Sequence, residues 1–274
     1  MENNQKRAEK GGNDLKGKME SPRTRESSGI FAEEKLLGLE CALWERGYAR
    51  IAGIDEVGRG PWAGPVVAAA CILPCDFDLP GLKDSKKLTP RRREKLAVGI
   101  KDQAIAWSVA SVDERDIEVL NILQATLKAM CQAVCALVPR PEALLIDGRD
   151  TLDRARFAKE LMISGETWET PYQQAVIGGD ARSASIAAAS ILAKVARDRI
   201  MTEYSVIYPG YGFDKHKGYG TQEHREALRR LGPCPLHRMS FAPVKGLMGV
   251  DGKDGVIDVK GTARVRAHGG EYGG

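Results

Sequence analysis

Residues 50–73 read RIAGIDEVGRGPWAGPVVAAACIL. Two apolar runs flank a short connection, which predicts a pair of β-strands at residues 50–56 and 65–73. The first run ends in two adjacent carboxylates, Asp55 and Glu56. Since turn chemistry needs only one carboxylate, this pair indicates a functional site at the end of a core strand.

The glycines of the connection do not form a dinucleotide-binding loop. Gly58, Gly60 and Gly64 are spaced GxGxxxG rather than GxGxxG, and the two prolines oppose a helix starting there. The glycines instead let the backbone approach a ligand closely, and Arg59 supplies a cation. We therefore predict that Gly58, Arg59 and Gly60 contact a nucleic-acid strand, with the backbone binding a sugar hydroxyl and the guanidinium a phosphate.

Outside this stretch, predicted strands and helices alternate. Strands are predicted at residues 106–112, 142–147 and 173–179, and helices at 121–138, 183–204 and 221–231. Leucines at helical spacing mark residues 31–47, and Thr89 as N-cap with Pro90 at the first helical position begins a further helix. This alternation predicts an α/β fold with a central sheet flanked by helices.

Acidic side chains recur where the predicted strands end. Besides Asp55 and Glu56, Asp147 ends one strand and Asp180 follows another. Sites in open α/β sheets gather at strand ends, so we expect these four carboxylates to converge and to bind two Mg²⁺ or Mn²⁺ ions that neutralise them. Such a pair of ions activates a water and stabilises the leaving oxygen of a phosphodiester.

Two alternatives stay open for these acids. A single aspartate after a strand is often a turn residue or a helix N-cap, and Asp180 stands just before a predicted helix. Successive strand residues also face opposite sides of a sheet. Glu56 therefore joins Asp55 in one site only if the strand ends or bulges there.

Basic and aromatic residues complete the candidate binding surface. Ser85 and Lys86 in a loop, and Lys194 within an otherwise apolar helix, are candidate phosphate contacts. Residues 91–93, RRR, are interpreted as a solvated helix face. Tyr219 lies in a glycine-rich loop, where its ring is a candidate for stacking on a sugar or base; packing at the domain edge is the alternative.

Composition is that of an ordinary globular protein. The chain has 274 residues, 43% of them hydrophobic, and a net charge of +4 that mildly favours an anionic partner. Six cysteines without a CxxC pair indicate reduced thiols, and no apolar run approaches the about 20 residues of a membrane span. Residues 1–29 are expected to be a disordered polar tail rather than a secretory signal, and residues 246–274 a flexible glycine-rich tail. We expect one cytoplasmic domain at residues 30–245.

Taken together, the motifs closely resemble those of the ribonuclease HII family over about residues 48–245. The resemblance rests on motifs in the family's order: GIDEVGRGPWAGPVVAAACIL, LKDSKKLTPRRREKL, LNILQATLKAM, LLIDG, GGDARSASIAAASILAKVARDRIM, YPGYGFDKHKGYGTQEH and HRMSFAPV. It implies a ribonuclease H-like fold, with a central mixed sheet flanked by helices and a small helical C-terminal extension.

The resemblance also implies an activity and a site. It implies metal-dependent cleavage, with Mn²⁺ or Mg²⁺, of RNA in RNA–DNA hybrids and at single ribonucleotides in duplex DNA, leaving 3′-hydroxyl and 5′-phosphate ends. The family's metal-binding acids match Asp55, Glu56, Asp147 and Asp180. Gly58, Arg59 and Gly60 match the motif that recognises the 2′-hydroxyl, the group that distinguishes RNA from DNA. Tyr219 matches the tyrosine that packs on the neighbouring sugar.

Small departures from the family pattern accompany these matches. Gly178 stands where lysine is frequent, which weakens one expected phosphate contact, and Trp62 replaces a usual aliphatic residue. The last residues lack the pattern of a sliding-clamp ligand, so no protein partner is inferred and a monomer is expected. Two other functions stay open: another nuclease of the same fold, and a non-catalytic nucleic-acid-binding module. The acidic cluster argues against the second, because without metal it would repel phosphate.

Overall fold

Five strands form one mixed sheet in the computed structural model, which describes residues 36–82, 87–164 and 168–249. The order across the sheet is β3-β2-β1-β4-β5. β1 and β2 are antiparallel, as are β2 and β3, whereas β1, β4 and β5 run parallel. The strands are β1 Ile51–Val57, β2 Val66–Ile72, β3 Ala106–Val112, β4 Ala143–Asp147 and β5 Tyr172–Val176. The predicted mixed sheet is confirmed.

Helices flank this sheet and follow it in the chain. Their bounds are α1 Gly38–Glu45, α2 Pro90–Gln103, α3 Glu114–Leu120, α4 Ile122–Cys135, α5 Arg154–Ser164, α6 Ala184–Ile207, α7 Phe213–His216, α8 Gln222–Leu231 and α9 Ala242–Gly249. The predicted N-cap of α2 is confirmed, because the Thr89 side chain accepts a hydrogen bond from the Arg92 N–H. The short helices α3, α5, α7 and α9 were not predicted.

The core lies on both faces of the sheet. On one face Ala52 and Ile54 of β1 pack in a cluster with Met130 of α4. On the other face Cys71 of β2 packs with Ile191 of α6. All seven residues of β2 are buried, as expected for a strand that is covered on both sides.

Helix α6 approaches β1 so closely that Gly53 has no room for a side chain. A Cβ at Gly53 would lie 2.0 Å from the carbonyl carbon of Ser185. The start of α6 is also held by a buried carboxylate of α1, because Glu40 Oε1 accepts from Ser183 Oγ at 2.6 Å and from the Ser185 N–H at 2.9 Å. These contacts fix α6 against the strand that carries Asp55.

Several predicted boundaries differ from the structure: α4 ends at Cys135 rather than residue 138, and α6 ends at Ile207 rather than residue 204. β5 ends at Val176 instead of residue 179, since the chain turns at Gly178, which has a φ of +64°, into a 3₁₀ turn at Gly179–Ala181. Helix α9 runs to Gly249, so its last four residues fall within the stretch predicted as a glycine-rich tail, which begins at residue 246. The predicted tail at residues 1–29 and the rest of the C-terminal tail lie outside the described residues. No helix within the described ranges is long and apolar enough to cross a membrane.

Candidate active site

Three predicted acids lie where β1 and β4 end. These parallel strands pair as far as Ile54 and Ile146, so Asp55 and Asp147 follow at neighbouring positions. The Gly179 N–H donates to Asp147 Oδ1 at 2.7 Å, which packs the turn containing the buried Asp180 against the end of β4. The alternative role of Asp180 as a helix N-cap is wrong, because Ser183 caps α6.

Glu56 reaches the same edge without a bulge. The antiparallel register with β2 is unbroken from Asp55 to Val57, so strand pleating turns Asp55 and Glu56 to opposite faces. Asp55 lies on the side of Ser190 of α6, whereas Glu56 faces the side of α4 and shares a pocket with Asp147. The two neighbours therefore approach Asp147 from opposite faces at the end of the sheet.

Burial and mutual repulsion perturb these acids. Burial, followed by the negative charges of Glu56 and Asp147, raises the pKa of Asp55 well above its usual range. The pKa of Glu56 is raised by burial, with Arg59 opposing this shift and Asp147 adding to it. The cluster thus lacks positive charge, and Arg59 supplies only part of it through an ion pair of 3.3 Å with Glu56.

A hard divalent cation fits this donor set. Carboxylate oxygens are the ligands that Mg²⁺ and Mn²⁺ prefer, and a divalent ion supplies the charge that the perturbed acids lack. Among residues 36–82, 87–164 and 168–249, however, no three carboxylate, histidine or cysteine side chains already form a cation site.

A pocket opens beside the acids, and one of its walls is charged while the other is apolar. Arg59 and Arg149 flank Glu56 and Asp147, and the opposite wall comes from α4. The lining residues are Glu56, Arg59, Leu123, Thr126, Leu127, Met130, Asp147, Gly148, Arg149 and Asp150. Arg149 was not among the predicted site residues.

The predicted glycine–arginine–glycine loop and Tyr219 lie together at this edge. Gly58 has a φ of +98°, and a Cβ there would lie 2.3 Å from Arg197 Nε, so only glycine fits. A Cβ at Gly60 would lie 3.9 Å from the Tyr219 ring, whose residue is 43% exposed. The tyrosine therefore presents an accessible ring next to the loop instead of packing fully into the domain edge.

The predicted phosphate contacts at Lys194, Ser85 and Lys86 stay predictions. Lys194 lies on α6 and pairs with Asp198 at 2.6 Å, so its ammonium group is already partly neutralised. Ser85 and Lys86 lie outside the described residues.

Three buried histidines support the Tyr219 loop, and the sequence reasoning missed them. His224 Nδ1 lies 2.9 Å from the Tyr219 carbonyl, which only accepts, so Nδ1 carries the proton. Burial lowers the pKa of His224 to about 4, so the ring is neutral and its Nε2 accepts from His237 Nε2 at 3.1 Å. His216 Nδ1 accepts from the Gly218 N–H.

The packing signal for these histidines was weak in the sequence. The rings of His216 and His224 stack with their centroids 4.4 Å apart, and the centroid of the Trp62 ring lies 5.6 Å from that of His224. Trp62, the departure from the usual aliphatic residue, is thereby buried against the loop. Isolated histidines in polar segments carry no periodicity that would have revealed this cluster.

Comparisons with known proteins agree with the fold. The ribonuclease HII family model matches residues 52–244. A ribonuclease HII of Desulfitobacterium hafniense is 58% identical over 212 residues, 77% of this chain and 76% of that protein.

Two solved structures share the fold. The ribonuclease H2 of Pyrococcus horikoshii matches with a TM-score of 0.59 and 28% identity, over 73% of this chain and 98% of that one. An Archaeoglobus fulgidus ribonuclease HII, solved in complex with PCNA, matches with a TM-score of 0.56 and 28% identity, over 72% and 96%.

The sheet and its acidic edge thus define a ribonuclease H-like hydrolase. The chain belongs to the ribonuclease HII family. It is an endoribonuclease that acts on RNA–DNA hybrids.

Proposed function

We propose that this enzyme also cleaves at single ribonucleotides embedded in duplex DNA, leaving 3′-hydroxyl and 5′-phosphate ends. The observation that carries the proposal is the ion pair between Arg59 and Glu56, 3.3 Å long, which joins the predicted sugar-binding loop to the acidic edge. A ribose bound at the loop would place its adjoining phosphate beside the acids. Recognition of the ribose and hydrolysis of its phosphodiester would then take place at neighbouring positions on one strand.

Asp55, Glu56, Asp147 and Asp180 are proposed to hold Mg²⁺ or Mn²⁺. When bound, such ions activate water for attack on a phosphodiester and stabilise the leaving oxygen. The protein orients these carboxylates by local hydrogen bonds: Asp55 Oδ1 accepts from the Glu56 N–H at 2.7 Å, and Asp147 Oδ1 accepts from the Gly179 N–H. Orientation of this kind reduces the reorganisation needed when the metal binds.

Substrate binding is assigned to the loop and the exposed tyrosine. Gly58, Arg59 and Gly60 are proposed to recognise the 2′-hydroxyl, and the Tyr219 ring to pack on the neighbouring sugar. Arg59, whose side chain is 46% exposed, exchanges part of its pairing with Glu56 for a substrate phosphate. Lys194, Ser85 and Lys86 stay predicted phosphate contacts, and the cytoplasmic location and monomeric state stay predictions.

Three duplexes test this proposal: one with a single ribonucleotide, one all-DNA duplex of the same sequence, and a long RNA–DNA hybrid. With Mg²⁺ or Mn²⁺, we expect cleavage of the first and third at ribonucleotides and none of the second. Asp55→Asn should abolish cleavage in a folded protein. An uncut single-ribonucleotide duplex together with a cleaved hybrid would overturn the proposal while leaving the family activity intact.

The same assay separates the other two functions. A non-catalytic binding module would bind all three duplexes in a salt-sensitive way and cleave none. Another nuclease of this fold would favour a different structure, such as a four-way junction, which is included as a fourth substrate.

A further inference from the structure

The fully buried side chain of Arg238 binds the inner side of the glycine–arginine–glycine loop. Arg238 Nη2 donates to the Gly58 carbonyl at 2.6 Å, and Nη1 donates to the Arg59 carbonyl at 3.0 Å. The same guanidinium donates to the Gly64 carbonyl at 3.0 Å from Nε and at 2.6 Å from Nη2. One side chain therefore binds carbonyl groups at both ends of the connection between β1 and β2.

These bonds orient the outer face of the loop. In a trans peptide the carbonyl of one residue and the N–H of the next point in opposite directions. Because the carbonyls of Gly58 and Arg59 point inward to Arg238, the N–H groups of Arg59 and Gly60 point outward. Within the described part of the chain, neither N–H donates to another backbone carbonyl. The outward surface is therefore a pair of donors.

A second buried arginine links this loop to the tyrosine. Arg197 of α6 donates to the carbonyls of Ala63, Pro65 and Lys217, at 3.2, 3.0 and 2.9 Å. Backbone bonds extend the link, because the Trp62 N–H donates to the Gly218 carbonyl at 2.8 Å and the Arg238 N–H donates to the Trp62 carbonyl at 2.8 Å. The loop and Tyr219 consequently form one supported unit.

We propose that Arg238 is a positioning residue for ribose recognition, holding the N–H groups of Arg59 and Gly60 as donors to the oxygen of the 2′-hydroxyl. The inference rests on the proposed function, since it specifies how the loop reads the sugar. Arg238 is fully buried and touches no substrate, so it acts only through the backbone that it binds.

The geometry requires a guanidinium. Its donors diverge in a planar fork and reach three carbonyls at once, which a single ammonium at the end of a lysine cannot do equally well. Burial and the nearby Arg197 lower the pKa of Arg238 to about 9, which leaves it charged at neutral pH. Hydrogen bonds from a charged donor are stronger than neutral ones, which suits a residue that must fix a glycine-rich loop.

A ratio of affinities tests the role. In an Asp55→Asn background, which keeps the substrate intact, Kd is measured for the single-ribonucleotide duplex and for the matched all-DNA duplex. The readout is the preference, Kd for all-DNA divided by Kd for the ribonucleotide duplex. A partly unfolded sample weakens both affinities by the same factor, so the preference reports loop geometry and not the folded fraction.

Arg238→Met should lower the preference about tenfold, the effect of losing one or two hydrogen bonds to the hydroxyl, while the affinity for all-DNA duplex changes little. Arg238→Lys should restore part of it. The matched control is Arg50→Met, which removes a structural arginine at the opposite end of β1 that donates to the Arg140 carbonyl and to Glu142. Its preference should equal that of the Asp55→Asn parent.

An unchanged preference in Arg238→Met, or an equal loss of affinity for both duplexes, would overturn the positioning role and leave the proposed function standing. If Arg238→Met does not fold, Arg238→Lys decides, and a preference equal to the parent's overturns the role. A parent protein with no preference would instead refute ribose reading by the loop, and this inference with it.

Discussion

Glu114 is a buried acid beside the two loop-supporting arginines, and replacing it with glutamine should stabilise the protein at neutral pH. The carboxyl lies at the start of α3, and its Oε1 has no hydrogen-bond partner among the described residues. Burial raises its pKa from 4.5 to about 7, with Asp113 adding to the shift and Arg238 and Arg197 opposing it. The ionised form is thus poorly solvated in the folded protein.

The magnitude follows from linkage. In the unfolded chain the carboxyl loses its proton near pH 4.5, and in the folded protein only near pH 7. Between these values the folded state binds more protons, so stability falls as pH rises, and the loss is complete above the folded pKa. The difference between the two pKa values corresponds to about 3 kcal/mol in the free energy of unfolding. Glutamine has no proton to lose, so Glu114→Gln should gain this amount relative to wild type at about pH 8 and almost none at about pH 4.

Urea unfolding of both proteins across this range measures the difference directly, since other groups titrate equally in the two. Glu118→Gln is the matched control, because this exposed carboxylate on the same helix accepts from the Ser240 N–H and from no other group among the described residues. A difference between Glu114→Gln and wild type that does not change with pH would refute the reasoning. So would a wild type that is more stable at pH 8, which would mean that Glu114 is ionised and paired with Arg197 or Arg238.

Three further outcomes are expected. Asp55→Asn should reduce cleavage by more than about 100-fold and raise the thermal stability of the metal-free protein at pH 7, because the ionised aspartate is disfavoured by burial, Glu56 and Asp147; equal melting temperatures would contradict this. Gly53→Ala should destabilise the fold by about 3 kcal/mol or more in denaturant unfolding, because its Cβ would meet the Ser185 backbone. As pH falls from 6.5 to about 4, the free energy of unfolding should drop by about 3 kcal/mol for each of His224 and His237, because burial lowers the pKa of each ring to about 4. In urea unfolding, a His237→Gln protein whose free energy of unfolding has the same pH slope as that of wild type would contradict this.

The sequence predicted the elements whose signal is local. Apolar runs marked β1 to β4, and the capping residue Thr89 marked the start of α2, because burial on both faces and N-capping leave patterns within a few residues. The acids at the ends of β1 and β4 followed from the same runs. Helices α3 and α5 were not predicted because they are short or mostly polar, so tertiary packing rather than apolar periodicity sets their limits.

The support of the site could not be predicted in this way. Arg238 binds carbonyls 174 to 180 residues away in the chain, and no local pattern encodes such a contact. Charged residues are expected at the surface, so Arg197, Arg238 and Glu40 read as solvated until the fold buries them. For Glu56, the local pattern correctly predicted that its side chain and that of Asp55 face opposite sides of the sheet. It could not predict that both still lie near Asp147, because that depends on where the neighbouring strand β4 ends.

The dependence of the loop on Arg238 bears on how the enzyme is made. A ribosome synthesises β1, β4 and the acids long before it reaches residue 238, because the chain emerges from its N-terminus. A nascent chain stopped at residue 230 would carry every proposed metal ligand and the whole glycine–arginine–glycine sequence, yet the carbonyls of that loop would lack their guanidinium. Selectivity for ribose would therefore be acquired last during biosynthesis.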